Sequence, residues 1–138
     1  MTTECRHRLG PLLSDPRELL WRQVHPGFIH DGRVSSQAFT PTPKDEGLLS
    51  VARESLTTAK DAFRHHVETL GFASAGVMAV SVGECLDASL NSYDQPLPHN
   101  PAHAIVDFRA LSDKQTGKTG RKLAALARSR GFVYQQGS

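Results

Sequence analysis

The sequence predicts a small α+β domain, a mixed β-sheet covered by two or three helices. Three observations carry that prediction. Its 138 residues match one ordinary domain, 1–138, large enough to bury a core without metal or disulfide staples. Residues 59–70 carry an apolar stripe (Ala59, Ala62, Phe63, Val67, Leu70) at helical spacing. Short runs rich in β-branched residues, 76–82 the clearest, alternate irregularly with helical segments rather than as regular βαβ units.

The elements follow in order. Residues 1–13 are expected to form an arm. Ser14-Asp15-Pro16 reads as a helix start, a capping side chain and then proline where no amide donor is missed. Residues 20–24 predict a strand that His25 ends before Pro26. Asp31-Gly32 predicts a turn into a short strand within 33–39. Residues 40–47, with two prolines, read as an exposed loop of polyproline character, and 48–52 as the next strand. The 59–70 helix has Thr58 as cap, Asp61 in its first turn and Gly71 as a left-handed stop. On it, His66 borders the apolar stripe and is expected half-buried, with His65 in water. Residues 76–82 form a central strand, 88–101 a polar loop, and 104–108 a further strand. A helix capped by Ser112, with Gln115 three positions on, comes next. Residues 132–134 close the sheet at its edge, and no internal repeat is visible.

Composition narrows the setting. The two cysteines, Cys5 and Cys85, lie far apart and without a CxxC pair, which suits a reducing, cytoplasmic compartment. The longest apolar run, 76–82, is far short of the ~20 residues needed to span a bilayer. Residues 1–10 carry Glu4, Arg6, His7 and Arg8 and lack the apolar run of a secretory signal. The net charge of +2 is uneven: seven basic residues stand against Asp113 alone between Arg109 and Gly131.

That basic segment is the first candidate surface. Lys114, Lys118, Arg121 and Arg128 share a helix face, with Lys122 beside them, while Leu123, Leu126 and Ala127 lie on another. Such a helix packs by its leucines and offers cations to an acidic protein partner or to nucleic acid. No aromatic residues interleave, so base stacking is not indicated. Lys44, Asp45 and Glu46 form a charged tip beside two prolines, a candidate docking loop. Gly117-Lys118-Thr119 ends like a phosphate-binding loop, but position 112 is Ser112 instead of glycine, which excludes that motif.

The seven histidines supply a second set of candidates. His99 and His103 are four apart, but Asn100-Pro101 prevents the helix that would pair them on a metal. His25 and His30 flank a tight loop and, with Asp31, His103 or Asp107, would offer metal-ligand chemistry. Nothing in their spacing fixes a geometry, and no metal is expected. His103 and Asp107 share a strand face with Ile105, and His103 would serve as a general acid or base if that face lined a cleft. Cys85, following a buried strand, reads as a small hydrophobe.

Arg22 on the first strand, Ser35-Ser36-Gln37-Ala38-Phe39 on the next, and Glu84 after a later strand make a further pattern. Over about a third of the chain it resembles the arginine–serine–glutamate arrangement of the ADP-ribosyltransferase fold. The resemblance implies that Arg22 holds a phosphate or ribose of NAD and that Ser35 or Ser36 braces the nicotinamide cleft. It implies that Glu84 supports an oxocarbenium-like transition state, with His25 nearby. The family's Ser-Thr-Ser triplet is missing, and Val82 stands where that family has Glu or Gln. Readings of different classes follow. One is a small soluble interaction or adaptor domain of bacterial type, its basic helix on an acidic partner, with no cofactor. The other is an enzyme or binder handling NAD or a nucleotide. A nucleic-acid-binding accessory protein is a third.

Overall fold

The computed structural model describes residues 9–136. In chain order its elements are β1 (Leu19–Val24), β2 (Ile29–His30), β3 (Arg33–Val34), β4 (Leu48–Arg53), α1 (Ala59–Arg64), β5 (Gly76–Ser81), α2 (Val82–Asp87), β6 (Asn91–Asp94), β7 (His103–Asp107), α3 (Asp113–Arg130) and β8 (Tyr134–Gln135). Six strands form one sheet in the order β6-β7-β4-β1-β5-β8, and β2 and β3 form a separate hairpin. The class is α+β, as expected, with an antiparallel ladder at every pairing.

Both faces of the sheet are covered, which is why β5 is apolar along nearly its whole length. Period-two alternation sends Leu20, Val24, Leu49, Val51, Met78, Val80, Ala104 and Val106 to one face, against Leu123, Ala124 and Ala127 of α3 and against Phe39. Trp21, Val77 and Ala79 go to the other, against Ala59, Ala62 and Phe63 of α1. The result is three layers: α3, sheet, α1.

Several local expectations are corrected. No helix follows Ser14; Asp15 makes a turn instead, accepting from the Arg17 amide at 3.0 Å and the Glu18 amide at 3.2 Å. Glu18 is drawn inward because its carboxylate accepts from Arg53 (3.0 and 3.1 Å) and from the Ser55 hydroxyl (2.7 Å), tying the start of β1 to the end of β4. The strand expected within 33–39 stops at Val34. Ser35 accepts from the Gln37 amide at 3.3 Å and caps a 3-10 turn, Ser36–Phe39, that buries Ala38 and Phe39. A second 3-10 turn, Pro43–Asp45, replaces extended chain in the 40–47 loop, with Asp45 accepting from the Thr42 amide at 2.8 Å.

β5 ends one residue early, because Ser81 and Glu84 form a capping box that starts α2. The 88–101 loop contains β6. Part of the expected arm lies along that strand, the Gly10 amide on Asp94 O at 2.8 Å and the Leu13 amide on Ser92 O at 2.9 Å, with Leu13 buried. Residues 1–8 lie outside the described ones. The helix expected over 59–70 widens at His65 into a π-turn, His65–Thr69, and stops at Gly71 with φ of 75°.

Candidate ligand cleft

A cavity of about 600 Å³ opens on the α1 side of the sheet, within the range of small-molecule sites. Its floor comes from an incomplete ladder. β1 pairs with β5 along its full length, but with β4 only at Leu20↔Arg53 and Trp21↔Ala52. Beyond that point β4 continues along β7 alone, and the Arg22 side chain spans the opening. Its Nε donates to Ala38 O at 2.6 Å and its Nη1 to Ser50 O at 2.9 Å. Both hydrogens of Nη2 are left uncommitted among the described residues. Burial pulls the Arg22 pKa down to about 10, against the opposing effect of the Asp45 carboxylate, so the side chain stays a cation at neutral pH.

The walls are partly aromatic. Trp21 is fixed by its indole N–H donating to Thr57 O at 2.9 Å, and Leu56 and Phe72, each more than half exposed, stand on the lining of the cleft. The π-turn places two sequence neighbours, His65 and His66, on that same lining, a recurrent use of such turns at functional sites. His65 Nε2 donates to His99 O at 2.6 Å, clasping α1 to the loop before β7, and is therefore part-buried instead of in water. His66 is half-buried, as expected, with its ring 5.3 Å from Phe72.

His103 faces the cleft from β7. Its Nδ1 lies 3.0 Å from Gln95 O, and its Nε2 3.2 Å from the Ser50 hydroxyl. A carbonyl only accepts, so Nδ1 carries the proton and Nε2 offers its lone pair to Ser50. Burial lowers the pKa of His103, with nearby His99 adding to the effect and the Gln95 carbonyl opposing it. Burial lowers that of His66 too, aided by the Arg22 charge.

These shifts have a consequence for stability. In the unfolded chain both imidazoles titrate near their ordinary value of 6.5; in the fold they resist protonation to lower pH. The unfolded chain therefore binds more protons just below pH 6.5, and stability is complete above that value and falls as pH drops through the window beneath it. Glu18 and Glu84 add their losses only at lower pH: burial raises their pKa values, but bonds from Arg53 and Ser55, and from Arg130 and Ser81, hold them below 4.5. Urea midpoints should thus fall between about pH 7.5 and pH 5.5, and fall less in the double variant His66→Gln/His103→Gln. An equal fall in both proteins would contradict the assignment.

Of the residues singled out in the sequence, Arg22, His65, His66, His99 and His103 reach the cleft. His25 turns back, accepting from the Gly27 amide at 2.9 Å and packing on Phe28. Ser35 caps its 3-10 turn, and Ser36 O accepts from Thr40 at 2.8 Å. Glu84 is held by Arg130 at 3.0 and 3.2 Å, just past Ser81, which pairs with Leu19, whereas Arg22 pairs with Met78. Neither the serines, nor His25, nor Glu84 lines the cleft. Asp107, at the far end of β7 from His103, is bound by Arg109 at 2.9 Å, so that pair does not act together. No group of three or more metal-ligating side chains gathers among the described residues. Burial pushes the Cys85 thiol up to about 12.

On α3, across the sheet from the cleft, Lys114, Lys118, Arg121 and Lys122 are exposed. Arg128 leaves that group, because its Nη1 donates to Val34 O at 2.9 Å. Lys44, Asp45 and Glu46 are exposed on their turn. Among the described residues no helix is long and apolar enough to cross a membrane. Comparison with family models, curated proteins and solved structures finds no match to this chain.

Trp21, Ser50 and Phe72 are cleft residues that sequence reasoning missed. One signal was present: Ser50 sits between Leu49 and Val51, a polar side chain on the alternate face of an apolar strand. The fold-back of the 97–102 loop onto α1 has no such signature.

Proposed function

We propose that the cleft binds a small organic anion built around a flat ring, with a nucleotide as the class that fits. The observation that carries this reading is Arg22, a cation whose Nη2 hydrogens are uncommitted among the described residues, at the base of a cavity walled by Trp21, Leu56 and Phe72. A guanidinium matches phosphate geometry, and the apolar walls suit a base. Among the described residues Asp61 is the one carboxylate on the lining, and Asp45 acts on Arg22 from outside it. The reading gives Arg22 the phosphate-holding role that its resemblance implies, and leaves Ser35, Ser36 and Glu84 with none. A reducing, cytoplasmic setting, where nucleotides are abundant, belongs to the same reading.

Trp21 is the sole tryptophan, so its fluorescence reports the cleft alone. AMP and NAD should change it saturably. No response to either removes the reading.

A contact between the α3 cations and an acidic partner or nucleic acid is a second, separable reading. It is favoured by the exposure of Lys114, Lys118, Arg121 and Lys122, none of which enters an ion pair among the described residues.

A further inference from the structure

We infer that Ser50 is a nucleophile activated by His103, and that the cleft hydrolyses an acyl ester of its ligand. The inference rests on the reading of the cleft as a ligand site and adds a reaction to it.

The two residues meet through sheet register. Ser50 pairs with Ile105 and Ala52 with His103, so Ser50 and His103 are diagonal neighbours on adjacent strands and on one face. Both line the cleft, and Ser50 is exposed. The Ser50 hydroxyl donates to His103 Nε2 at 3.2 Å, and His103 Nδ1–H donates to Gln95 O at 3.0 Å. That is a nucleophile, a base and a group that orients the base, with a backbone carbonyl in the third role. Burial, which keeps the imidazole neutral, keeps it able to take a proton. Arg22 Nη1 donates to the main-chain Ser50 O at 2.9 Å, which holds a cation against the backbone of the nucleophilic residue. The other serines considered differ: Ser35 and Ser81 cap turns or helices by accepting amide hydrogens.

The chemistry balances with water as co-substrate. Ser50 Oγ attacks the carbonyl carbon while His103 Nε2 takes its proton; the new Oγ–C bond stays as the C–O bond to the alcohol breaks, and His103 returns the proton to that alcohol. Water then gives a proton to His103 and its oxygen to the acyl carbon. Ser50 leaves, reprotonated by His103, and the products are an acid and an alcohol.

An alkyl fluorophosphonate tests this. Ser50 Oγ would bond to phosphorus, fluoride would leave, and His103 would take the proton. Intact mass with peptide mapping should show one adduct, on Ser50, absent from Ser50→Ala. It should form about 100-fold more slowly in both His103→Gln and His103→Asn. No adduct on Ser50 in the natural chain, or equal rates in the histidine variants, overturns the inference. If AMP alters Trp21 fluorescence but Ser50 is not labelled, the reaction fails and the ligand reading stands. If Ser50 is labelled without any nucleotide response, the ligand reading fails and the dyad stands.

Discussion

Replacing Arg22 by methionine will weaken AMP binding by about 100-fold or more and lower folding stability by about 2–4 kcal/mol. Both effects come from the same three nitrogens. Nη2 is the donor offered to the ligand, and its loss removes a charged donor for phosphate. Nε and Nη1 bond the carbonyls of Ala38 and Ser50 across the place where β1 and β4 stop pairing. A hydrogen bond to a charged donor contributes roughly 1.5–3 kcal/mol, but water entering from the cleft would satisfy part of what methionine leaves unbonded. Arg22→Lys should be intermediate, since one ammonium cannot reproduce the fork that reaches two carbonyls and a ligand. Urea denaturation and Trp21 titration measure the two effects separately. A loss of stability with AMP affinity intact would leave Arg22 as a strut between strands and nothing more.

Substitution of Gly120 on α3 by a bulky residue will be strongly destabilising. The helix lies against the Ser36–Phe39 turn, and a Cβ at Gly120 would collide with Thr40 Oγ1, 3.1 Å from Thr40 Cβ and 3.3 Å from Phe39 O. Thr40 cannot swing aside freely, because its hydroxyl donates to Ser36 O at 2.8 Å. Alanine gains about 1 kcal/mol of helix propensity, yet overpacking a closed contact costs about 1–3 kcal/mol. Gly120→Ala should therefore be destabilising by about 1 kcal/mol, and Gly120→Leu by more than 3 kcal/mol on the same argument. Gly117 provides the control. Its nearest neighbour would be Arg121 Nη1 at 3.6 Å, so Gly117→Ala should stabilise by about 0.5–1 kcal/mol. Thermal or urea unfolding of the three variants decides the matter. A Gly120→Leu protein as stable as the natural one would mean that α3 does not sit against that turn.

These two glycines also show how far the sequence was legible. Both interrupt a basic helix with a residue of low helix propensity, and nothing local distinguishes them; only the non-local approach of the Ser36–Phe39 turn makes one of them obligatory. The pattern was similar elsewhere. The α1 stripe, the valines of β5 and the Ser112 cap are local signals, and each element was expected. Ser35 and Ser81 were read as strand residues, but each caps the next turn or helix, a choice between two local bonding patterns that tertiary packing makes. The cleft was the least legible part. Arg22 and His103 were singled out, but Arg22 was grouped with Glu84, which capping and Arg130 hold elsewhere. Its actual neighbours, Ser50 and His66, arrive through strand register and a π-turn, neither of which leaves a mark in single-sequence spacing.

The measurement that bears most directly on the ligand reading compares AMP with adenosine in the Trp21 titration. The two share a ring and a ribose and differ by the phosphate that Arg22 is placed to hold. Saturable binding of AMP is expected, with at least a tenfold advantage over adenosine, about 1.4 kcal/mol. Equal affinity for the two, or binding of neither, would contradict it.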